Sequence, residues 1–488
     1  MHIIIKSLCV WLLNFKKLWL FAFLLLLNIM FLIGTAQAQS MSPVAGETPV
    51  PTQNLPAGTG NTLWQRGNLL GDPENSHQWL QDHGLSPSLT VATEVLRNTQ
   101  GGYERATHLQ AEAVFVLGLD TNAAFGWPGG RFYTSLLAIG GGGVSIDGVG
   151  SLTTISSIEA ERSFRLFELW YEQSFLRDRA SLRIGQLAVD QEFLTTGTGS
   201  VFLNADFGWP TLASINLPAG GPAYPLATPG MRVRFSATPA IALLAGLFNG
   251  NPAPAGYGDP QRSNAMGTNF RLDGGAFGIV EGQWSHDFHV GDQHLPGTYK
   301  IGAWWNTNSF FDQHRDPNGL SLANLNSTGF PALHRNNWSF FAAVDQVLWR
   351  RSHHTDDGLS SFLRIMSGPD DRNQVSVELD GGLAWRGLIA ARPNDTFGVA
   401  FGWFKVSQAA RALDRDIVAL GLPRPVRSAE GMIEATYQAA IAPWFQIQPD
   451  IQYIVRPGGG VPGGDGRDSL SRPLGNSAIV ALRTTITF

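Results

Sequence analysis

The chain has 488 residues, with 34 Lys and Arg against 39 Asp and Glu, 43% hydrophobic residues and a formal net charge of −5. That balance argues against nucleic acid as a partner. The single cysteine, Cys9, excludes a disulfide framework, so stability has to come from elsewhere.

In chain order, Lys6, Lys16 and Lys17 lead into an apolar run from Leu18 to Ile33, and Ala36-Gln37-Ala38 follows as a small-x-small site. This pattern predicts a signal peptide over residues 1–38, removed on export; an uncleaved anchor helix is the competing reading. Past Gln39 no apolar stretch nears the ~18 residues of a membrane helix, and Ile241–Phe248 is only strand-sized. An exported chain of this kind is either soluble or crosses a membrane as a closed barrel. Without the three leader lysines, 31 basic residues remain, and only Lys300 and Lys405 among them are lysine. Arginine keeps its charge in restricted space and presents a planar fork of donors, which suits a crowded polar interior.

Residues 39–66 are rich in Pro, Gly and Thr and read as a disordered lead-in. Residues 67–85 hold one short helix, with Asp72 as N-cap, Pro73 at its first position and Gly84 at its end. From 86 to 488 short alternating segments separated by turn residues take over. Strands are predicted near 86–98, 105–119, 130–140, 162–175, 179–189, 229–237, 239–250 and 275–288. Eight more follow near 297–308, 336–350, 358–367, 373–388, 396–406, 429–441, 443–456 and 476–488. The connections after strands 3, 5, 7, 9, 13 and 15 run 19 to 39 residues, whereas those after even strands are one to about ten. Long loops on one side and short turns on the other predict an all-β fold: a transmembrane antiparallel β-barrel of sixteen strands with a short N-terminal helix.

In such a barrel, charge must point away from lipid. Phe164–Phe175 places Phe167, Leu169, Tyr171 and Phe175 on one face, with Glu168, Glu172 and Ser174 on the other and Trp170 beside the glutamates. After the "LRDR" turn, Leu182 and Ile184 oppose Ser181, Arg183 and Gly185, and in "MRVRF" Met231, Val233 and Phe235 oppose Arg232 and Arg234. Arg at mid-membrane costs up to ~2–4 kcal/mol, so Glu168, Glu172, Arg183, Arg232 and Arg234 are expected in the lumen, with a transverse field between opposite charges. Their competing reading is as ordinary wall residues away from any constriction. The longest loop, roughly Asp190 to Thr228, is the candidate to fold inward, offering Gln191, Glu192, Asn204, Asp206 and Trp209. Trp209 either supplies a stacking face or merely anchors "FGWP" to the wall. The end of the chain fits the same plan. Val480, Leu482 and Ile486 form a lipid-facing row ending on Phe488, and Phe175, Phe288, Trp338, Trp349, Phe397, Trp444 and Phe445 mark interfacial girdles.

The stretches "FELWYEQSF", "LRIGQLAVDQEFLTTGTGSVFLNADFGWP" (Leu182–Pro210) and "YPLATPGMRVRF" (Tyr224–Phe235) resemble the carbohydrate-selective porin (OprB) family. "GLFNG", "GTYKIGAWW" and the closing strand add to the likeness, which covers roughly residues 67–488. The family's usual Trp-Gly-Gly-Arg-type stretch is replaced here by "GDPENSHQWLQDHGL". The resemblance implies a sixteen-stranded barrel in a Gram-negative outer membrane, set in lipid and passing small sugars by diffusion, with no cofactor. The terminal Phe488 likewise resembles the signal read by barrel-assembly machinery. A homotrimer stays open.

Other motifs carry less. His286, His289 and His294, and the pair His353-His354, fit no common zinc spacing and read as solvated turn histidines. Pro457–Gly466 lacks the Lys-Ser/Thr of a phosphate loop. There is no G-x-S-x-G elbow and no evident catalytic set. A sugar-preferring porin is therefore the leading expectation, ahead of a general diffusion pore, an outer-membrane hydrolase and an exported soluble β-protein.

Overall fold

The period-two alternation that begins at Leu85 runs to the C-terminus, and each segment that carries it forms a strand. The structure is a computed structural model describing residues 62–488 except 72–75, 254–257, 352–356 and 464–469. The expected signal peptide (residues 1–38), most of the expected lead-in (39–66), Asp72, Pro73, His353 and His354 thus lie outside the described residues.

The strands are β1 (Leu85–Gln100), β2 (Thr107–Asp120), β3 (Gly130–Gly140), β4 (Ser163–Phe175), β5 (Ala180–Leu187) and β6 (Thr228–Ser236). They continue as β7 (Ile241–Asn249), β8 (Ala276–Val290), β9 (Gln293–Phe311), β10 (Leu333–Arg350) and β11 (Gly358–Ser367). The last five are β12 (Val375–Arg386), β13 (Thr396–Val406), β14 (Ala429–Ala442), β15 (Phe445–Val455) and β16 (Ser477–Thr487). Each is antiparallel to its sequence neighbours, and β1 pairs with β16, closing a sixteen-strand barrel with no free edge. Phe488 prolongs the seam, its N–H donating to the Leu89 carbonyl at 2.8 Å. Two connections at the long-loop end are short, residues 101–106 and 368–374. The N-terminal helix, Ser76–Asp82, ends as expected at Gly84, whose φ of +76° suits glycine.

The lipid face is legible in exposure: Val480 and Leu482 of β16 and Leu363 and Ile365 of β11 stand exposed between buried neighbours. Phe175, Phe288, Trp338, Trp349 and Phe397 are exposed near strand ends. Two aromatic assignments need correction. Trp444 is buried, its Nε1 donating to the Leu63 carbonyl at 2.7 Å and its ring stacked on Trp64 at 6.1 Å, because the chain ahead of the helix packs over it. Phe167 is also buried, not lipid-facing. A bulge shifts the β3–β4 register between Ser135 and Leu136, Phe167 is left without a partner there, and its ring meets Tyr224 edge-on at 6.0 Å.

The apolar core sits inside the barrel. Phe193, Leu203, Phe207 and Leu212 from the 188–227 segment pack against inward residues such as Phe248, Phe362 and Phe404. A sixteen-strand lumen is too wide for wall side chains to fill, so this chain fills part of it with its own loop.

Candidate functional site

A loop inside a barrel carries peptide N–H and C=O groups that no helix or sheet satisfies, and burying them unpaired costs ~1–3 kcal/mol each. Here the wall supplies the partners. Glu168 of β4 accepts from Ala188 N at 3.1 Å, Glu281 of β8 from Leu194 N at 2.8 Å, and Asp345 of β10 from Thr198 N at 2.9 Å. Glu434 of β14 accepts from Leu203 N at 2.6 Å and Asn204 N at 3.1 Å, and Glu378 of β12 accepts from Leu212 N. Cations hold the carbonyls: Arg364 of β11 reaches those of Leu194, Asp206 and Gly208, and Lys300 of β9 that of Thr195. The 188–227 segment is thereby tied to seven strands from β4 to β14, bearing out the expectation that it folds inward.

A second segment, between β3 and β4, also enters and was not foreseen. Glu430 accepts from Ser151 Oγ and from the N–H groups of Leu152 and Thr153, Thr153 Oγ1 donates to Asn204 at 2.7 Å, and Ser156 Oγ donates to Glu94 at 2.6 Å. Its Gly/Ser/Thr sequence carries no charge over residues 148–158, so nothing in it marks an anchor.

Four of the charges expected in the lumen form one cluster. Arg183 and Arg232 are register partners on β5 and β6, and Glu172 of β4 lies opposite Arg183. Like charges directly opposite repel, and the carboxylates offset this. Arg183 meets Glu172 at 2.6 Å and Glu192 at 3.4 Å; Arg232 meets Glu172 at 3.1 Å and Glu192 at 2.6 Å. Two cations and two anions thus cancel at contact, so the transverse field expected from alternation is replaced by a compact neutral quartet. Arg183 also lies 3.8 Å over the Trp170 ring, and Trp170 stacks on Tyr133 at 4.7 Å. Trp170 therefore offers no free face to a solute; it fixes the guanidinium in place. Arg183 (12% exposed) and Glu192 (17%) are the accessible half of the quartet, and Arg232 (2%) and Glu172 (7%) are its buried half. Glu172 also lines a cavity of ≈ 280 Å³ at the short-turn mouth, with Asp120, Asn122, Arg131, Ser174 and Asp178.

The other expected residues divide. Arg234 is half-buried opposite Ser181, and Gln191 is half-buried beside Glu192. Asn204 is buried, donating to Gln452 at 3.0 Å and accepting from Asp206 N at 3.0 Å. Asp206 is buried and accepts from Thr211 N at 2.9 Å; burial pushes its carboxyl up, against the pull of Arg364. Trp209 is buried, donating from Nε1 to the Gly220 carbonyl at 2.9 Å, a tie within the loop itself that leaves its indole N–H unavailable to a solute. At the start of the loop, Asp190 is half-buried as a residue, but its Oδ1 is covered and without a partner, and burial pushes this carboxyl up to about 6. Sequence reading missed Arg364, Glu378 and Glu434, although the parity argument that selected Glu168 applies equally to them.

Residues 80–488 match the family described as "Carbohydrate-selective porin, OprB family". Porin B of Pseudomonas aeruginosa is 25% identical over 427 residues, 82% of this chain and 88% of that protein. The high-pH structure of Pseudomonas putida OprB superposes with a TM-score of 0.74 at 21% identity, covering 89% of this chain and 100% of that one. The low-pH structure of the same protein gives 0.52 at 16% identity, covering 86% and 98%.

Proposed function

Because this chain belongs to the carbohydrate-selective porin, OprB family, and is thus a sugar-selective porin of the outer membrane, we propose that its Arg183–Glu192 pair is the polar edge that permeating sugars touch. The observation carrying this reading is the quartet itself. It brings donor and acceptor groups together without net charge, and one half of it is accessible. A neutral polyhydroxyl solute exchanges hydrogen bonds with such a pair, whereas an ion gains no long-range attraction from it. Glu172 connects the quartet to the short-turn mouth, so a solute leaving it enters the vestibule lined by Asp120, Arg131 and Asp178. The family and the barrel imply a channel, not an enzyme, and the concentration gradient drives flux. In this reading the leader is cut after Ala38, and Phe488 is presented to the assembly machinery, as its place at the barrel seam supports.

Liposome swelling with the refolded mature protein tests the reading, using arabinose, glucose, maltose and neutral amino acids of glucose-like size. Arg183→Gln and Glu192→Gln, the accessible pair, are expected to lower the sugar rates relative to size-matched amino acids. Rates that follow solute size alone, in wild type and variants alike, would overturn the assignment. Glu168→Ala is a poor probe of sugar contact, because it releases Ala188 N at the loop hinge.

A further inference from the structure

The turn joining β8 to β9 brings together two histidines that sequence spacing had set aside, His289 and His294, and adds Asp287 to them. A two-residue loop, Gly291-Asp292, with Gly291 at φ +60°, closes the hairpin between Val290 and Gln293. This register places His289 directly opposite His294. Asp287, two residues before His289, lies on the same face of β8, since side chains repeat every second residue. The linear order Asp287, His289, His294 is no zinc signature, but the hairpin folds it into one. One ligand atom from each of the three lies within 4.8 Å of the others. The His289 and His294 rings are 4.3 Å apart at 66°, and His294 Nδ1 is 2.8 Å from Asp287 Oδ2.

We propose that Asp287, His289 and His294 form a surface site for a borderline-soft divalent transition ion of the Zn²⁺, Ni²⁺ or Cu²⁺ class, on the short-turn rim of the channel. Two imidazoles and one carboxylate, with a further position open to water, are the donor set such ions take, and hard cations prefer all-oxygen sites. One detail supports the assignment beyond proximity. His289 Nδ1 lies 3.1 Å from the carbonyl oxygen of its neighbour Asp287. With that nitrogen protonated and donating, Nε2 is left as the donor to metal, which is how ligating histidines are usually oriented. The three residues are exposed, so an ion reaches them without any opening of the barrel. Asp206, Glu378 and Asp380 also converge, deep in the lumen, but Arg364 already bonds Asp380 there at 3.0 Å, and that cluster is not the one proposed.

The test is Zn²⁺ titration of the untagged, detergent-folded mature barrel by calorimetry, with Co²⁺ visible absorption as a second readout and Mg²⁺ as the hard-ion control. Wild type is expected to bind one Zn²⁺ and to show a Co²⁺ ligand-field band, and Mg²⁺ is expected to bind far more weakly. His289→Ala with His294→Ala should weaken Zn²⁺ binding by roughly tenfold or more, since losing even an outer-shell partner costs that much. The gel shift on heating, unchanged in the variant, would show that it still folds. His353→Ala with His354→Ala should leave the titration as in wild type. Absence of Zn²⁺ binding in wild type would overturn the proposal. So would binding unaltered by the His289/His294 change, or lost with the His353/His354 change instead. Sugar flux is a separate readout and is expected to be the same with and without the ion.

Discussion

Replacing Glu434 with alanine asks what holds the inward loop in place. Its carboxylate accepts from two buried N–H groups, of Leu203 and Asn204, and its loss orphans both. At ~1–3 kcal/mol each, the penalty is about 2–6 kcal/mol. The same stretch is also held by apolar packing: Phe202 and Phe207 lie 6.0 and 5.5 Å from Phe362, and Leu203 is fully buried. Burial of those three side chains contributes roughly 1.5–3 kcal/mol apiece, about 5–9 kcal/mol together. Packing therefore exceeds the hydrogen bonds. Glu434→Ala should loosen the stretch without expelling it, giving noisier single-channel current with little change in mean conductance. Phe202→Ala with Phe207→Ala, costing about 3–5 kcal/mol at each position, should release it and raise both conductance and maltose flux. Planar-bilayer recording of both variants decides the matter. A larger conductance from Glu434→Ala than from the double variant would refute the ranking, and unchanged conductance in both would show that the loop does not narrow the channel.

Asp190 gives a pH dependence with a defined sign. Its folded-state carboxyl titrates at about 6 against an ordinary 3.8, so the penalty is absent below about 4, grows as pH rises to 6 and is complete above it. That penalty is about 3 kcal/mol, and Asp190→Asn should raise the heat-modifiability midpoint at pH 8 but leave it unchanged at pH 4. Arg232→Ala leaves Glu172 and Glu192 sharing one cation in a buried site, and should lower the same midpoint more than Arg183→Gln does. On the long-loop side, Asp414 caps the fold of the 407–428 segment by binding Arg424 at 2.6 Å and Arg427 at 2.8 Å. Asp414→Asn should speed limited proteolysis of intact cells within that segment while leaving sugar flux unchanged.

The barrel was legible because lipid and lumen impose opposite chemistry on alternate residues. Leu182 against Arg183, or Val233 against Arg232, decides a strand's facing without knowledge of its partner. Phe167 escaped that logic because a bulge breaks the period for one residue, and no local sequence marks it. The quartet was half legible: parity sent Arg183, Arg232 and Glu172 inward, but not into mutual contact. Glu192 joins them from a loop whose path depends on anchors over 150 residues away, such as Glu378 at Leu212 and Glu434 at Leu203. The helix end at Gly84 was visible, and Trp444 beneath Leu63 was not, since that contact spans 381 residues.

Those anchors also change what an inward charge means in this lumen. A wide barrel with polar walls leaves its carboxylates to water, but here a loop with unpartnered N–H groups lies against them, and each satisfies the other. Glu168, Glu281, Glu378 and Glu434 are then scaffold, although their parity is that of pore residues. The same holds for Lys300, one of two lysines past residue 38, which spends its ammonium on Thr195. What remains for a solute is the group that faces water while being held rigid, and rigid positioning is what lets a weak contact discriminate. Arg183 meets both conditions, fixed between Trp170 and two carboxylates yet still 12% exposed. Arg183→Lys keeps the charge but loses the planar stack and fork. It should therefore reduce sugar preference nearly as far as Arg183→Gln, whereas a purely electrostatic role would leave the lysine variant close to wild type in the swelling series.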